Sequence, residues 1–448
     1  MFIFLRLLVI KMRKYLAVVP PELFGEDIDE YSLLDKLKAF LETSLKSDSV
    51  VVRTYVKGDE RGLLLLFDNI ITIKVFRNII VVEGKDSKKA KVIFGGVKTF
   101  IKELARKRSA GGDIYFVYIP GEEIIPPSLH SPIKRLFQKL FSENMVYLFF
   151  TFALISIMIY TLVGPIFTPL VVTLLGLLVI SVAPVIIPRL ISDWHVPEDM
   201  PVKILKITIL EELEKRINED KLLKLKKLLK PLVLQRDLDV EKVKEIIRSV
   251  FGVDKFNVEL YHFNIYSYVK SVASRFGLCF RGRIYITNTM IRNALSLGYG
   301  KNSAIVLTSG ILAVLKKDEI KAIIAHETSH IVHRDVLLFF FLASLEYAFR
   351  LYYFFIVNPL CLLDPLFVTA YILLTTLLIF MFSKYLEIRA DIDTAGLGLG
   401  LELANALAKV SFSLGYERNL LERLWDWLRP EPHPPVRYRI SYLLTSGK

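Results

Sequence analysis

Cysteine is nearly missing from this chain: Cys279 and Cys361 are the whole supply, far apart in sequence, with the second in an apolar stretch. No disulfide framework and no Cys-based zinc site is implied by that pair. Glycine-rich phosphate fingerprints are missing as well, because Gly95-Gly96 and Gly111-Gly112 belong to no complete motif and serve as turns. The excess of positive charge, +13 at pH 7, does not gather into a basic patch interleaved with aromatics. It lies beside apolar segments and in 203–230, the pattern of membrane-flanking and solvated-helix charge, which argues against nucleic acid as a partner. The longest gap is in charge itself. From Met145 to Pro188 there is no Asp, Glu, Lys, Arg or His, and the stretch is long enough to cross a bilayer core twice at about 20 residues per helix. With hydrophobic residues at 53% of 448, above the roughly 45–50% of ordinary soluble domains, the chain reads as a membrane protein.

Gly164-Pro165 is the natural turn of that stretch, so residues 145–190 are expected to form a hairpin of two spans. Lys134, Arg135 and Lys139 precede it and Arg189 follows, while the turn is uncharged; the positive-inside rule puts both ends on the cytoplasmic side. A second hairpin is expected over 336–383, from apolar runs at 336–357 and 366–382 followed by Lys384 and Arg389. Its Glu346 and Arg350 stand four apart on one helix face, where they can pair. The expected cell-membrane topology is therefore multi-pass, with four spans. Residues 1–125 alternate strand-like and helix-like segments, the pattern of an α+β soluble domain. Within it, Met1 to Ile10 is apolar apart from Arg6, but the charges follow it and no small-residue cleavage site appears, so it reads as an extended start and not a signal peptide. Pro126-Pro127 and Pro132 mark a linker over 126–144. Residues 203–275 are polar and helical in pattern, and 200–335 with 384–448 make up a cytoplasmic domain in two parts.

The chemistry centres on Ala325-His326-Glu327-Thr328-Ser329-His330-Ile331. On a helix, His326 and His330 are one turn apart and offer two imidazoles to one metal ion, with Glu327 beside them as a carboxylate that does not bind it. A helix is expected there, since Asp318 and Glu319 stand at its start, Ile320, Ile323, Ile324 and Ile331 supply an apolar stripe, and no Pro or Gly interrupts. Lys316, Lys317, Asp318, Glu319 and Lys321 just upstream would be costly in hydrocarbon, which argues against a metal motif inside a span.

A catalytic zinc site takes three protein ligands and keeps one position open. A third His six residues after His330 is excluded, because Val336 stands there and His333 occupies the position of the glycine that such a motif carries. Glu387 follows the second hairpin, which returns the chain to the side it left and makes this carboxylate available. Asp391 lies four residues on, suited to accept the second ring N–H of a metal-bound His. Glu387 alone would read as a membrane-edge charge reaching for water; the Glu-x-x-Ala-Asp context favours a ligand.

Together these residues resemble the HtpX family of membrane zinc metallopeptidases, related to the CAAX prenyl proteases: His326-Glu327-x-x-His330-Ile331-x-His333-Arg334-Asp335, two spans, then Glu387-x-x-Ala390-Asp391. Asn293-Ala294-Leu295-Ser296-Leu297-Gly298 resembles the family's substrate-binding edge strand, and His433-Pro434-Pro435-x-x-x-Arg439 its C-terminal signature. The resemblance implies a mainly helical gluzincin-type domain, Zn2+ as cofactor, polypeptide substrates, and endopeptidase action on misfolded or damaged membrane proteins at the cytoplasmic face. It implies Glu327 as general base, and His433 and Arg439 near the reacting carbonyl. His333 matches the family but is off the ligand spacing and reads as a structural residue. Thr328 departs from the family's bulkier apolar residue, and the N-terminal region of about 140 residues has no counterpart in the family pattern. A zinc-binding scaffold without protease activity and a CAAX-type prenyl-protein protease are the alternatives. Oligomeric state is not legible.

Overall fold

The computed structural model describes residues 145–209, 219–233, 238–254, 256–289, 291–411 and 431–446. Before them it describes 14–18, 35–41, 51–57, 60–66, 70–76, 79–84, 92–97, 99–100 and 112–120, and near the end 427–428. The extended start expected over 1–10 and the linker expected over 126–144 lie outside these residues.

The N-terminal strands β1 (Lys14–Val18), β2 (Val51–Lys57), β3 (Glu60–Leu66), β4 (Ile70–Phe76) and β5 (Ile79–Gly84) form one antiparallel sheet in the order β1-β5-β4-β3-β2. The next strand, β6 (Gly112–Tyr118), does not join them. It pairs antiparallel with β8 (Val202–Ile209), which in turn pairs with β9 (Phe256–Phe263). This departs from the helical reading of 203–275 over residues 203–209 and 256–263, though not over 265–275, which are helical. Val202, Ile204, Ile207, Thr208 and Ile209 give β8 a β-branched composition that suits a strand with partners on both edges. Between them the helical reading holds, with α2 (Glu219–Val233) and α3 (Val240–Phe251), the latter capped by the Asp239 carboxylate at its start and by Gly252 at φ 66° at its end.

Three described helical stretches are long and apolar enough to cross a membrane: Leu154–Ile191, Asp335–Val357 and Pro365–Gly396. The first is most of α1 (Met145–Ile191), which is interrupted where Gly164 takes φ 76° and ψ 174°, outside the helical region. Pro165 restarts the helix, a position where its missing N–H costs nothing, and the Thr168 hydroxyl donates back to the Gly164 carbonyl at 2.6 Å. Farther along, a Cβ on Gly176 would sit 2.3 Å from the Phe340 ring, so the bare glycine lets α1 lie close against its neighbour α7 (Asp335–Tyr352). Glu346 and Arg350 on α7 pair with each other at 3.0 Å, which spares the helix an isolated charge in an apolar setting.

The remaining sheet runs β11-β12-β10-β7, from β7 (Trp194–His195), β10 (Arg283–Thr287), β11 (Ala294–Tyr299) and β12 (Asn302–Thr308). Packed with it are α4 (Ile265–Arg275), the short α5 (Ser309–Val314), α6 (Lys317–Val332), α8 (Pro365–Gly396), α9 (Gly400–Ser411) and α10 (Val436–Ser446). A single core joins Ile284, Ile286, Ile305 and Leu307 of the sheet to Ile320, Ile323, Ile324 and Ile331 of α6 and to Leu403, Leu407, Ile440 and Leu443 behind it. Each such side chain contributes roughly 1.5–3 kcal/mol on burial. The expected apolar stripe on α6 turns out to be burial on nearly every side, because Ala322, Ala325, Thr328 and Ser329 are buried along with the isoleucines. Small residues on those faces let neighbouring elements approach. Glu319 is buried too; it caps the Lys316 N–H at 2.8 Å and pairs with Lys409 Nζ at 2.8 Å.

Candidate metal centre

Two helices built for different surroundings meet at this centre. α6 brings His326 and His330 from the soluble core, and α8 emerges from its apolar run to bring Glu387, so that one nitrogen or oxygen from each of the three lies within 4.8 Å of the others. The spacings are 3.3 Å between the two His Nε2 atoms, 3.4 Å from His326 Nε2 to Glu387 Oε2, and 3.7 Å from His330 Nε2 to Glu387 Oε1. Ligand atoms about 2.0–2.2 Å from one tetrahedral ion stand roughly 3.3–3.5 Å apart. The triad therefore fits a zinc-sized ion. Glu387 Oε2 is buried with no hydrogen-bond partner, which leaves it a lone pair for such an ion even though Arg439 Nη1 lies 3.1 Å away.

Behind the triad stands a second layer of charge. Asp391, one turn past Glu387, places Oδ1 3.1 Å from His326 Nδ1. It also accepts a two-pronged bond from Arg439, Nε to Oδ2 at 2.8 Å and Nη2 to Oδ1 at 2.7 Å. Burial opposes a proton on His326, but the Asp391 and Glu387 carboxylates outweigh it and raise the ring's pKa to about 9. The pocket thus favours positive charge at the position of these nitrogens. Glu327 is buried in the wall, where its charge adds to those that hold the buried Arg439 protonated.

Sequence reasoning put Arg439 at the reacting carbonyl, whereas here its guanidinium is taken up by Asp391 and Glu387. It is only 6% exposed. His433 is different: its side chain is 63% exposed while Nδ1 reaches Glu387 Oε1 at 3.0 Å, so it sits over the triad from the solvent side. His333 caps the end of α6, with Nε2 3.0 Å from Asp393, which also accepts from the Ser329 hydroxyl. That bond ties α6 to α8 and keeps His333 off the triad. Asn293 to Gly298 lie on or beside β11, at one edge of the sheet next to α6.

One residue passed unassigned in the sequence. Asp335 Oδ2 lies 2.8 Å from His330 Nδ1, and its other oxygen pairs with Arg389. The turn that delivers it is made by Arg334, the sole described non-glycine residue with positive φ, at 56°. The signal was the Asp five positions after His330, directly after the helix stops. Such acceptors fix the ring's orientation, and losing one typically costs 10–100-fold in metal affinity. Asp335→Asn is expected to weaken zinc binding by about that factor; a chelator competition titration checks it, and unchanged affinity would remove Asp335 from the site.

The model of peptidase family M48 matches residues 261–446. A protease HtpX homolog of Methanocaldococcus jannaschii is 34% identical over 216 residues, covering 41% of this chain and 75% of the relative. The chain belongs to peptidase family M48. HtpX homologs of Helicobacter acinonychis and Pyrococcus abyssi are 47% and 44% identical over 60 and 57 residues, but those matches cover only 19% and 20% of the relatives. The crystal structure of S. mikatae Ste24p aligns with 80% of this M48 chain and 76% of its own at 13% identity, with a TM-score of 0.40, too loose a likeness to transfer any residue. His326, Glu327, His330, Glu387, His433 and Arg439 all fall within the matched range.

Proposed function

We propose that this M48 chain is a zinc endopeptidase that cuts membrane proteins at the cytoplasmic face of the cell membrane, with misfolded or damaged chains as substrates. The observation that carries the reading is the His326–His330–Glu387 triad at zinc-like spacing, with Glu327 held beside it and not in it. A zinc ion bound there supplies Lewis acidity toward water and toward a carbonyl oxygen. Glu327 takes the proton of the attacking water and passes it to the leaving amine. His433, the most exposed group at the triad, donates to the carbonyl oxygen as negative charge develops on it. Arg439 is a positioning residue that keeps Glu387 and Asp391 in register. The edge of β11 offers backbone N–H and C=O groups to an extended substrate.

Two features support the membrane setting. Ile159 and Val172, on either side of Gly164, share one small cluster with Tyr347 of α7. In an unbroken helix they would be about 20 Å apart along the axis, so their common packing favours a chain that folds back at Gly164 and a four-span topology. The metal-binding helix also runs through the Arg334 turn straight into the candidate span that begins at Asp335, which supports a metal centre near the bilayer surface.

The reading is tested with the detergent-purified protein and casein as an unfolded substrate. Cleavage is expected to vanish with 1,10-phenanthroline and to return on stoichiometric zinc, with one zinc per chain by elemental analysis. Zinc binding with no cleavage of any protein would favour a scaffold; cleavage that survives full chelation would sink the metallopeptidase reading.

A further inference from the structure

Lys384 follows the apolar run of α8 and reads in sequence as a charge flanking a span. In the structure it is 0% exposed, and its Nζ donates to the Trp427 carbonyl at 2.5 Å. Taking an ammonium out of water is costly unless its N–H groups find acceptors. Here the acceptor belongs to the C-terminal segment, so the bond fastens that segment to α8. The Glu431 carboxylate, two residues before His433, lies close enough for its charge to act on Lys384 as well.

Lys384 stands three residues before Glu387, and Asp391 four residues after it, so the three share one face of α8. The C-terminal segment meets them in the same order. Trp427 takes the Lys384 ammonium, His433 places Nδ1 3.0 Å from Glu387 Oε1, and Arg439 makes its two-pronged bond to Asp391. The Trp427 and Tyr438 rings also pack edge to face with centroids 5.0 Å apart, which brings the two ends of the segment together. His433, the middle contact, is mostly exposed. An oxyanion donor works only within about 2.7–3.1 Å of the developing charge, so an exposed imidazole relies on its backbone for its place. Pro432, Pro434 and Pro435 flank it with φ locked near about −65°, and Pro434 is buried. This arm is stiff, and a shift at its upstream anchor carries through to the imidazole.

We infer that Lys384 is a positioning residue for His433: it holds the upstream end of the proline arm against α8, as Arg439 holds the downstream end, so that the imidazole stays over Glu387. The inference rests on the peptidase reading above and adds to that site an anchor one turn before Glu387.

The test uses the full-length protein in detergent with Lys384→Met, which keeps the length of the side chain and removes its charge. In the metal-free protein, deuterium exchange in peptides covering 427–433 is expected to quicken by roughly tenfold or more, while α6 keeps its protection. Unchanged exchange there would overturn the inference. With zinc restored, casein cleavage should lose roughly 10–100-fold in kcat, with KM within about twofold of the wild type. The deciding comparison repeats the substitution in a His433→Ala background, where Lys384→Met should cost less than about threefold. An equal loss with and without His433 would make Lys384 a packing residue only. Should Lys384→Met fail to fold, Pro432→Gly loosens the same arm with Lys384 in place and carries the same expectation in both backgrounds. Casein cleavage by the wild type separates the two ideas. A wild type that never cuts casein counts against the peptidase and leaves the exchange measurement to decide the arm. One that cuts casein, with equal losses in both backgrounds, upholds the peptidase and removes Lys384 from the site.

Discussion

Glu327→Gln is expected to lower casein cleavage by 10²–10⁴-fold, the contribution of a positioned general base, while leaving one zinc per chain. Gln has nearly the shape of Glu, and Glu327 sits in a helix buried on most sides, so the substitution removes a proton acceptor without opening a cavity. His326, His330 and Glu387 keep their places because α6 is held by its isoleucines and by the Glu319–Lys409 pair. Steady-state rates with zinc content measured on the same samples decide it. A variant within about tenfold of the wild type would mean that another group takes the proton. Loss of zinc together with activity would mean that Glu327 shapes the metal centre itself.

Arg439→Leu has the largest expected effect on the fold of the catalytic region. The substitution strips buried Asp391 of two charge-assisted hydrogen bonds, 2.8 and 2.7 Å long, and takes from Glu387 the guanidinium that lies 3.1 Å away. An uncompensated buried carboxylate costs about 3–5 kcal/mol, so the variant should unfold at markedly lower denaturant and bind zinc 10–100-fold more weakly. Arg439→Lys should not rescue it, because an ammonium cannot make the paired contacts of a guanidinium. Asp391→Asn in the same chain should recover part of the loss, since it removes the orphaned charge. If Arg439→Leu is as stable as the wild type and fails only in turnover, Arg439 belongs at the reacting carbonyl, as the sequence comparison implied.

How far the sequence carried depends on the range of the interaction. His326 and His330 could be placed on one face because helical spacing is local, and Glu387 could be chosen because a hairpin returns the chain to its starting side. Uncharged runs of membrane length are equally local signals, and the helices at 154–191, 335–357 and 365–396 lie where those runs do. β8 was misread as helix because its evidence is its partners: β6 stands nearly ninety residues upstream and β9 more than fifty downstream, and its Leu and Lys content suits a helix as well as a strand. The motif implies Arg439 near the reacting carbonyl; its contacts to Asp391 and Glu387 follow from the approach of α10 to α8, and no local pattern encodes them.

The sequence by itself determined the residue types of the candidate triad, the spacing of its two His on α6, the apolar runs and the family, because each depends on residue chemistry and on periods of a few residues. Only the tertiary structure decided that Asp335 faces His330, that Arg439 is spent on Asp391 and Glu387, and that β11 lies between the active helix and a membrane helix. These contacts join residues from 5 to 121 positions apart. Except for the nearest, they exist only after the core of β-sheet and α6 has closed and brought distant charges into a low-dielectric interior, where each must find a partner.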